Sequence, residues 1–287
     1  MRKKIIVAKH AGFCFGVSRA VKMAEMELKK GKPVYCLGSL IHNPQTIKEL
    51  EEKGFRVVKK ITEIPVGQKV LIRSHGATKE EIVKLKEKKA QIFDATCPFV
   101  KRAQLVAENF AKAKVQVVIF GDPEHAEVIG IKSYAGKKSL VINNLKEAKK
   151  IAIFPQIGVL SQTTQKRENF QAVAAELLNH TVDLHVINTI CSDTVVKQTE
   201  VKELAKKVDL MIIIGGRESS NTKKLFQLSQ KSCRKAYHIE IADEFKQQWL
   251  EGVNKIGIAA GASTPKKSIK AVVKFLKDQL PDRKSVV

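Results

Sequence analysis

No two cysteines of this chain are spaced Cys-x-x-Cys, so the paired knuckle of a structural zinc site is missing. The five cysteines are too few and too scattered across 287 residues to read as a disulfide framework. No apolar run approaches the roughly 18 residues that mark a membrane-spanning helix. The N-terminal MRKKIIVAKH turns polar again after Ile5–Val7, too soon for a secretory core, and no cleavage pattern follows. Prolines number 8, and no Ser/Gly-rich linker interrupts the chain. These absences lead us to expect a globular protein of the cytoplasm with no membrane span.

Acidic residues are also scarce, 29 against 52 basic ones, for a formal net charge of +23. Such an excess attracts polyanions, so a basic nucleic-acid-binding protein has to be weighed. The lysines, however, are spread through helical patterns such as KEEIVKLKEKK, with glutamates three or four residues away. There is no Arg-rich tail, aromatic–lysine interleaving or zinc-finger spacing. A lysine-rich solvated surface is the simpler reading, and no nucleic-acid partner is expected. The same field would favour a small phosphorylated substrate or an acidic redox partner.

What is present repeats. Cys14, Cys97 and Cys191 each stand at a loop-to-helix junction, and each is followed 24 residues later by a glycine ending an apolar run: Gly38, Gly121 and Gly215. Four residues beyond each glycine comes His42, His125 or Ser219. One such recurrence would be ordinary; three at the same distance argue for a structural repeat. Between cysteine and glycine the spacing predicts a helix and then a short buried strand. In the first repeat Val17, Ala20, Val21, Ala24 and Leu28 form the apolar stripe of that helix. Each repeat continues to a second polar strand end: LIRSHGAT with His75, GVLSQTT with Thr163, and IGIAAGAST with Ser263. Strands alternating with helices predict parallel sheets, whose functional loops lie beyond the carboxyl ends of the strands. We therefore expect three similar α/β lobes with mainly parallel sheets, in a pseudo-threefold arrangement around a central cleft. Their expected boundaries are 14–96, 97–190 and 191–287, the last completed by residues 1–13 through a strand at Ile5–Val7.

A thiol at a helix start is exposed to free N–H groups and to the helix field, which favour the thiolate. Three thiolates at matching positions could hold zinc with an open fourth position, or three irons of a four-iron cluster; the spacing does not choose between them. A thiolate–zinc hydrolase is accordingly an alternative reading. Cys36 and Cys233 fall outside the repeat and are expected to fill core. His42, His75 and His125 could bind phosphate oxygens as cations or relay protons when neutral. Glu127 is a candidate proton carrier, because an apolar setting would raise its carboxyl pKa. Thr163 and the run Ser219, Ser220 and Asn221, with Ser263, offer hydroxyls and amides at helix openings that can take an anion, although capping alone would explain Ser219 or Ser263.

The ordered series GFCFGV at Cys14, HN at His42, SHG at His75, DATCP at Cys97, HAEV at His125, QTT at Thr163, IC at Cys191, SSN at Ser219 and AGAS at Ser263 resembles the 4-hydroxy-3-methylbut-2-enyl diphosphate reductases over essentially the whole chain. Phe15 and the SDT after Cys191 depart from the forms GFCAGV and YAT seen in some members, without removing a candidate ligand. The resemblance implies an iron–sulfur oxidoreductase of the non-mevalonate isoprenoid pathway. It would remove the C4 hydroxyl of an allylic diphosphate to yield isopentenyl diphosphate and dimethylallyl diphosphate. It further implies one [4Fe-4S] cluster at the centre of the lobes, with Cys14, Cys97 and Cys191 as its ligands and a fourth iron held by no cysteine. His42, His75, His125, Ser219, Ser220, Asn221, Thr163 and Ser263 would bind substrate. Glu127 would deliver protons, assisted by His125 and Thr163. A reduced ferredoxin or flavodoxin-type protein would supply the electrons.

Overall fold

The computed structural model describes residues 3–279. It contains three four-stranded sheets, and every pairing in them is parallel. The chain enters through β1 (Lys4–Val7) and α1 (Phe15–Leu28). The first sheet follows, from β2 (Val34–Leu37), β3 (Phe55–Val58), β4 (Lys69–Ile72) and β5 (Gln91–Asp94), with α2 (Pro44–Glu52) and α3 (Lys79–Glu87) between them. The second has α4 (Pro98–Lys112), β6 (Gln116–Phe120), α5 (Ala126–Ala135), β7 (Leu140–Ile142), α6 (Leu145–Ala148), β8 (Phe154–Ser161), α7 (Arg167–Leu177) and β9 (Thr181–Ile187). The third has α8 (Ser192–Ala205), β10 (Leu210–Ile214), α9 (Ser220–Gln230), β11 (Lys235–Ile239), β12 (Lys255–Ala260) and α10 (Lys266–Gln279).

Strand order is the same in all three: β3-β2-β4-β5, β7-β6-β8-β9 and β11-β10-β12-β1. The position that β5 and β9 fill from within their own stretches is filled in the third sheet by β1, the first strand of the chain. Its residues Lys4–Val7 run in register with Lys255–Ile258 of β12. In each sheet one of the two edge strands, β5, β9 or β1, leads on to a cysteine.

The central strands are short apolar runs because helices cover both of their faces. Leu210, Ile212 and Ile214 of β10 pack with Ile269, Val272 and Leu276 of α10, while Met211 and Ile213 face Val201 and Leu204 of α8 and Leu225 and Leu228 of α9. In the second sheet Val117, Ile119 and Leu160 meet Ala103 and Ala107 of α4 and Val128 and Ile131 of α5. Each such Val, Leu, Ile or Met side chain contributes roughly 1.5–3 kcal/mol on full burial. In α1 the deepest residues are small, Ala20 and Ala24, while Val17, Val21 and Leu28 stay partly exposed. Glu27 is also buried there, paired with Lys30 and with the buried Lys69 of β4. Cys36 and Cys233 are buried in the core as expected. Contacts divide the chain into two compact units. One holds the third sheet with the residues up to Cys14 and His42–Pro44; the other holds the first and second sheets. No helix among the described residues is long and apolar enough to cross a membrane.

Candidate active site

The repeat seen in the spacing of cysteines and glycines reappears in backbone hydrogen bonds. The Cys97 N–H donates to the Ser74 carbonyl at 3.0 Å, the Cys191 N–H to the Thr163 carbonyl at 2.9 Å, and the Cys14 N–H to the Ala262 carbonyl at 3.0 Å. Each acceptor lies two residues past the end of a second central strand, β4, β8 or β12. Each cysteine is thereby fastened to the polar loop at the carboxyl end of its sheet. The strand-end glycines are matched too: Gly38, Gly121 and Gly215 donate to the carbonyls of Val58, Ile142 and Ile239.

None of the five cysteines is disulfide-bonded, and Cys14, Cys97 and Cys191 are partly exposed where Cys36 and Cys233 are buried. Cys97 is the N-cap of α4, with Pro98 at the first helical position, where its missing N–H costs nothing. A Cβ on Gly16 would stand 2.6 Å from the Cys97 Sγ, so only glycine at the start of α1 leaves the sulfur its place. Arg19 braces the approach to Cys97, donating to the carbonyls of Asp94 and Thr96. Burial pushes the Cys97 thiol pKa up, against the N–H groups of Phe99 and Val100 that pull it down. The N–H groups at the helix start thus favour the thiolate, as its position in the sequence implies, and burial opposes them. Burial likewise pushes the Cys36 thiol up to about 12, as suits a core residue.

In the unit with the first two sheets, Glu127 and Thr163 form a tight, buried polar pair. Glu127 is only 1% exposed, and its carboxylate accepts the Thr163 N–H at 2.6 Å and the Thr163 Oγ1–H at 2.8 Å. His125 caps α5, its Nδ1 accepting the Glu127 N–H at 3.1 Å. An accepting Nδ1 leaves Nε2 as the ring nitrogen that carries the proton. The His75 ring stands edge-on to that of His125, 5.4 Å between centroids and 84° between planes. Arg73 holds the His75 turn through a 3.2 Å bond from its Nε to the Gly76 carbonyl.

The other unit groups a second set. Ser263 Oγ donates to the His42 carbonyl at 3.0 Å, and Gly216 lies so close to that carbonyl that a Cβ there would be 2.4 Å from the oxygen. Ser263 therefore fixes the His42 backbone, and its oxygen can still accept. Ser219 caps α9 by accepting the Thr222 N–H, and Ser220 Oγ accepts from Lys224 at 2.9 Å. Asn221 is 4% exposed, and neither its Oδ1 nor its Nδ2 has a hydrogen-bond partner among the described residues. Sequence reading missed Arg19, Arg73 and Gly16. The only signal for them was an arginine on the predicted helix, an arginine at a strand end, and a second glycine beside a cysteine.

The LytB protein family model matches residues 5–277. The chain belongs to the LytB family. Similar LytB relatives include a 4-hydroxy-3-methylbut-2-enyl diphosphate reductase of Pelobacter propionicus, 45% identical over 92% of this chain and 94% of the relative. The reductase of the same name from Geotalea uraniireducens is 46% identical over 92% and 93%. Among solved LytB structures, (E)-4-hydroxy-3-methyl-but-2-enyl diphosphate reductase, the terminal enzyme of the non-mevalonate pathway, matches at 41% identity and a TM-score of 0.70, covering 96% of this chain and 99% of that one. The E-1-hydroxy-2-methyl-but-2-enyl-4-diphosphate reductase of Plasmodium falciparum matches at 29% identity and a TM-score of 0.92, covering 96% and 89%. The three parallel-sheet lobes are thus those of the LytB fold.

Proposed function

We propose that this chain is a 4-hydroxy-3-methylbut-2-enyl diphosphate reductase, converting its allylic diphosphate to isopentenyl and dimethylallyl diphosphates. What carries the reading is the threefold clasp of Cys14, Cys97 and Cys191 on equivalent strand-end carbonyls, in a chain whose relatives bear that name. The three lobes are proposed to span 14–96, 97–190 and 191–287 with 1–13. Three partly exposed thiols, one of them with its place kept by a glycine, fit a soft iron–sulfur group better than a hard-metal site. Cys14, Cys97 and Cys191 would hold a four-iron cluster, which would supply one-electron transfer and a Lewis-acidic iron lacking a cysteine. Electrons would come from a ferredoxin or flavodoxin-type partner in the cytoplasm.

The reaction breaks the C4–O bond, consumes two electrons and two protons, and releases water. One proton leaves with the hydroxyl and the other ends on carbon, at either end of the allylic system. Glu127 is the proposed proton source. Thr163 aims its carboxyl through two hydrogen bonds and excludes water from it. Protonated on Nε2, His125 can hand a proton on beside it. The diphosphate is assigned to His42, His75 and His125, the Ser219 and Ser220 hydroxyls, Ser263 and Asn221, whose buried amide has no hydrogen-bond partner among the described residues to give up. The +23 charge favours capture of that anion.

Anaerobic turnover of the allylic diphosphate with a strong electron donor tests the reading. Both five-carbon products should appear, only with reductant and with iron bound. Reductant-independent hydrolysis by zinc-loaded protein would replace it with the hydrolase. Cys97→Ser should lose iron and turnover together, and normal retention of both would remove Cys97 from the ligand set.

A further inference from the structure

The second sheet ends on a strand unlike the other edges. β9 is seven residues long, whereas the other edge strands, β1, β3, β5, β7 and β11, run to between three and five. An edge strand presents unpaired N–H and C=O groups, and shortness, lysine or proline is the usual way of blunting it. β9, with the sequence TVDLHVI, has none of the three. No strand among the described residues pairs with its outer edge. Val182 is 97% exposed there and Val186 45%.

Charge sets this part of the chain apart as well. From Glu168 to Val196 there is no lysine or arginine, although the whole sequence holds 52. The stretch carries Glu168, Glu176, Asp183 and Asp193 instead. Two copies of a chain of net charge +23 repel each other over most of their surface. The β9 edge adds no lysine or arginine of its own to such a meeting. Its sequence is also complementary to itself in reverse. Set antiparallel about Leu184, Val182 stands opposite Val186 of the second copy, and Asp183 opposite that copy's His185. Directly opposed apolar pairs and opposite-charge pairs are what stabilise neighbouring antiparallel strands, and a two-fold axis makes each pair twice. Within one chain Asp183 Oδ2 lies 3.1 Å from His185 Nε2, and both side chains are about half exposed. The same groups are therefore open to a partner across the axis.

We propose that β9 is a self-association edge. Two copies of this chain join their second sheets through antiparallel β9 strands centred on Leu184, making one continuous sheet across a two-fold axis. The unblunted edge is then covered by its own copy, and Val182 leaves water. Nothing in this pairing uses the thiols, so it stands whether or not the reductase reading holds.

The test is sedimentation velocity on the full-length, anaerobically purified protein over a concentration series. Wild type should pass from monomer to dimer as concentration rises. Val182→Lys sets an ammonium opposite Val186 on both sides of the axis and should raise the dimer Kd by roughly tenfold or more. Its melting temperature at low concentration should match wild type, because the Val182 side chain is almost wholly in solvent. Val66→Lys, on another exposed valine, should leave the dimer intact. His185→Asp should weaken the dimer by facing one carboxylate with another. Adding Asp183→His to it returns a carboxylate opposite an imidazole and should restore association. A wild type that stays monomeric throughout would sink the proposal, as would a dimer that Val182→Lys leaves untouched. A folded double variant that fails to regain the dimer would overturn the pairing about Leu184.

Discussion

Glu127 and Asn221 occupy the same place in two repeats, two residues past the polar group that follows a strand-end glycine by four. Both side chains are buried, at 1% and 4% exposure, yet their surroundings differ in kind. The Glu127 carboxylate is closed by the N–H and hydroxyl of Thr163. The residue two past the end of β12, in the place of Thr163, is Ala262, which has no hydroxyl to offer. Asn221 keeps an amide with no hydrogen-bond partner among the described residues. A buried polar group left this way costs about 1–3 kcal/mol. One repeat has completed its polar pair internally, where a fixed carboxyl can manage a proton. The other keeps a donor and an acceptor in reserve for a ligand.

That contrast can be broken from either side. The largest effect is expected from Glu127→Gln, which keeps the Thr163 contacts in shape but removes the proton. Turnover should drop about 10²–10⁴-fold, the usual weight of a general acid, while iron content stays near wild type. Unchanged turnover would separate Glu127 from proton delivery. Asn221→Leu should weaken inorganic pyrophosphate binding by roughly tenfold or more, since hydrogen bonds to charged groups contribute about 1.5–3 kcal/mol. Its urea midpoint should hold or rise, because a buried unpartnered amide is gone. Thr163→Val should do the reverse to stability, lowering it by about 1–3 kcal/mol by leaving a buried carboxylate short of a donor. If Asn221→Leu and Thr163→Val shifted the urea midpoint alike, the two sites would not differ as described.

The smallest effect extends the comparison to the first repeat, where the buried acid is structural. The Lys30 ammonium, with Lys69, holds the Glu27 carboxyl pKa below its ordinary value against the opposing effect of burial. A depressed folded pKa stabilises above the unfolded value of about 4.3, and that stability is lost as pH falls through the folded one. Glu27→Gln should therefore unfold at lower urea than wild type at pH 7, with the gap closing at acid pH below 4.3. A gap independent of pH would assign the loss to packing instead.

Much of this architecture was legible in the chain. The interval of 24 residues recurs because a helix and a buried strand of similar length lie between each cysteine and its glycine. Ordinary periodicity shows both elements. The polar groups at the strand ends were legible as candidates for the same reason, since a parallel sheet puts its loops where a ligand can sit. Less legible was the inner face of α1, where the alanines Ala20 and Ala24 go deepest and a glutamate, Glu27, is buried. No periodicity rule sends a carboxylate inward; a lysine on β4, distant in sequence, makes it tolerable. The Cys97 thiol shows the same gap, because a helix start favours the thiolate and the burial that opposes it comes from neighbours far along the chain.

By itself, then, the sequence determined the alternation of strands and helices, the threefold repeat and the family, all of which depend on spacing along the chain. Tertiary structure decided which carbonyl clasps each cysteine, why Gly16 must lack a side chain, and why Glu127 is satisfied while Asn221 is not. Those facts turn on which atoms lie within about 3 Å of each other, and distance along a chain does not fix distance through space.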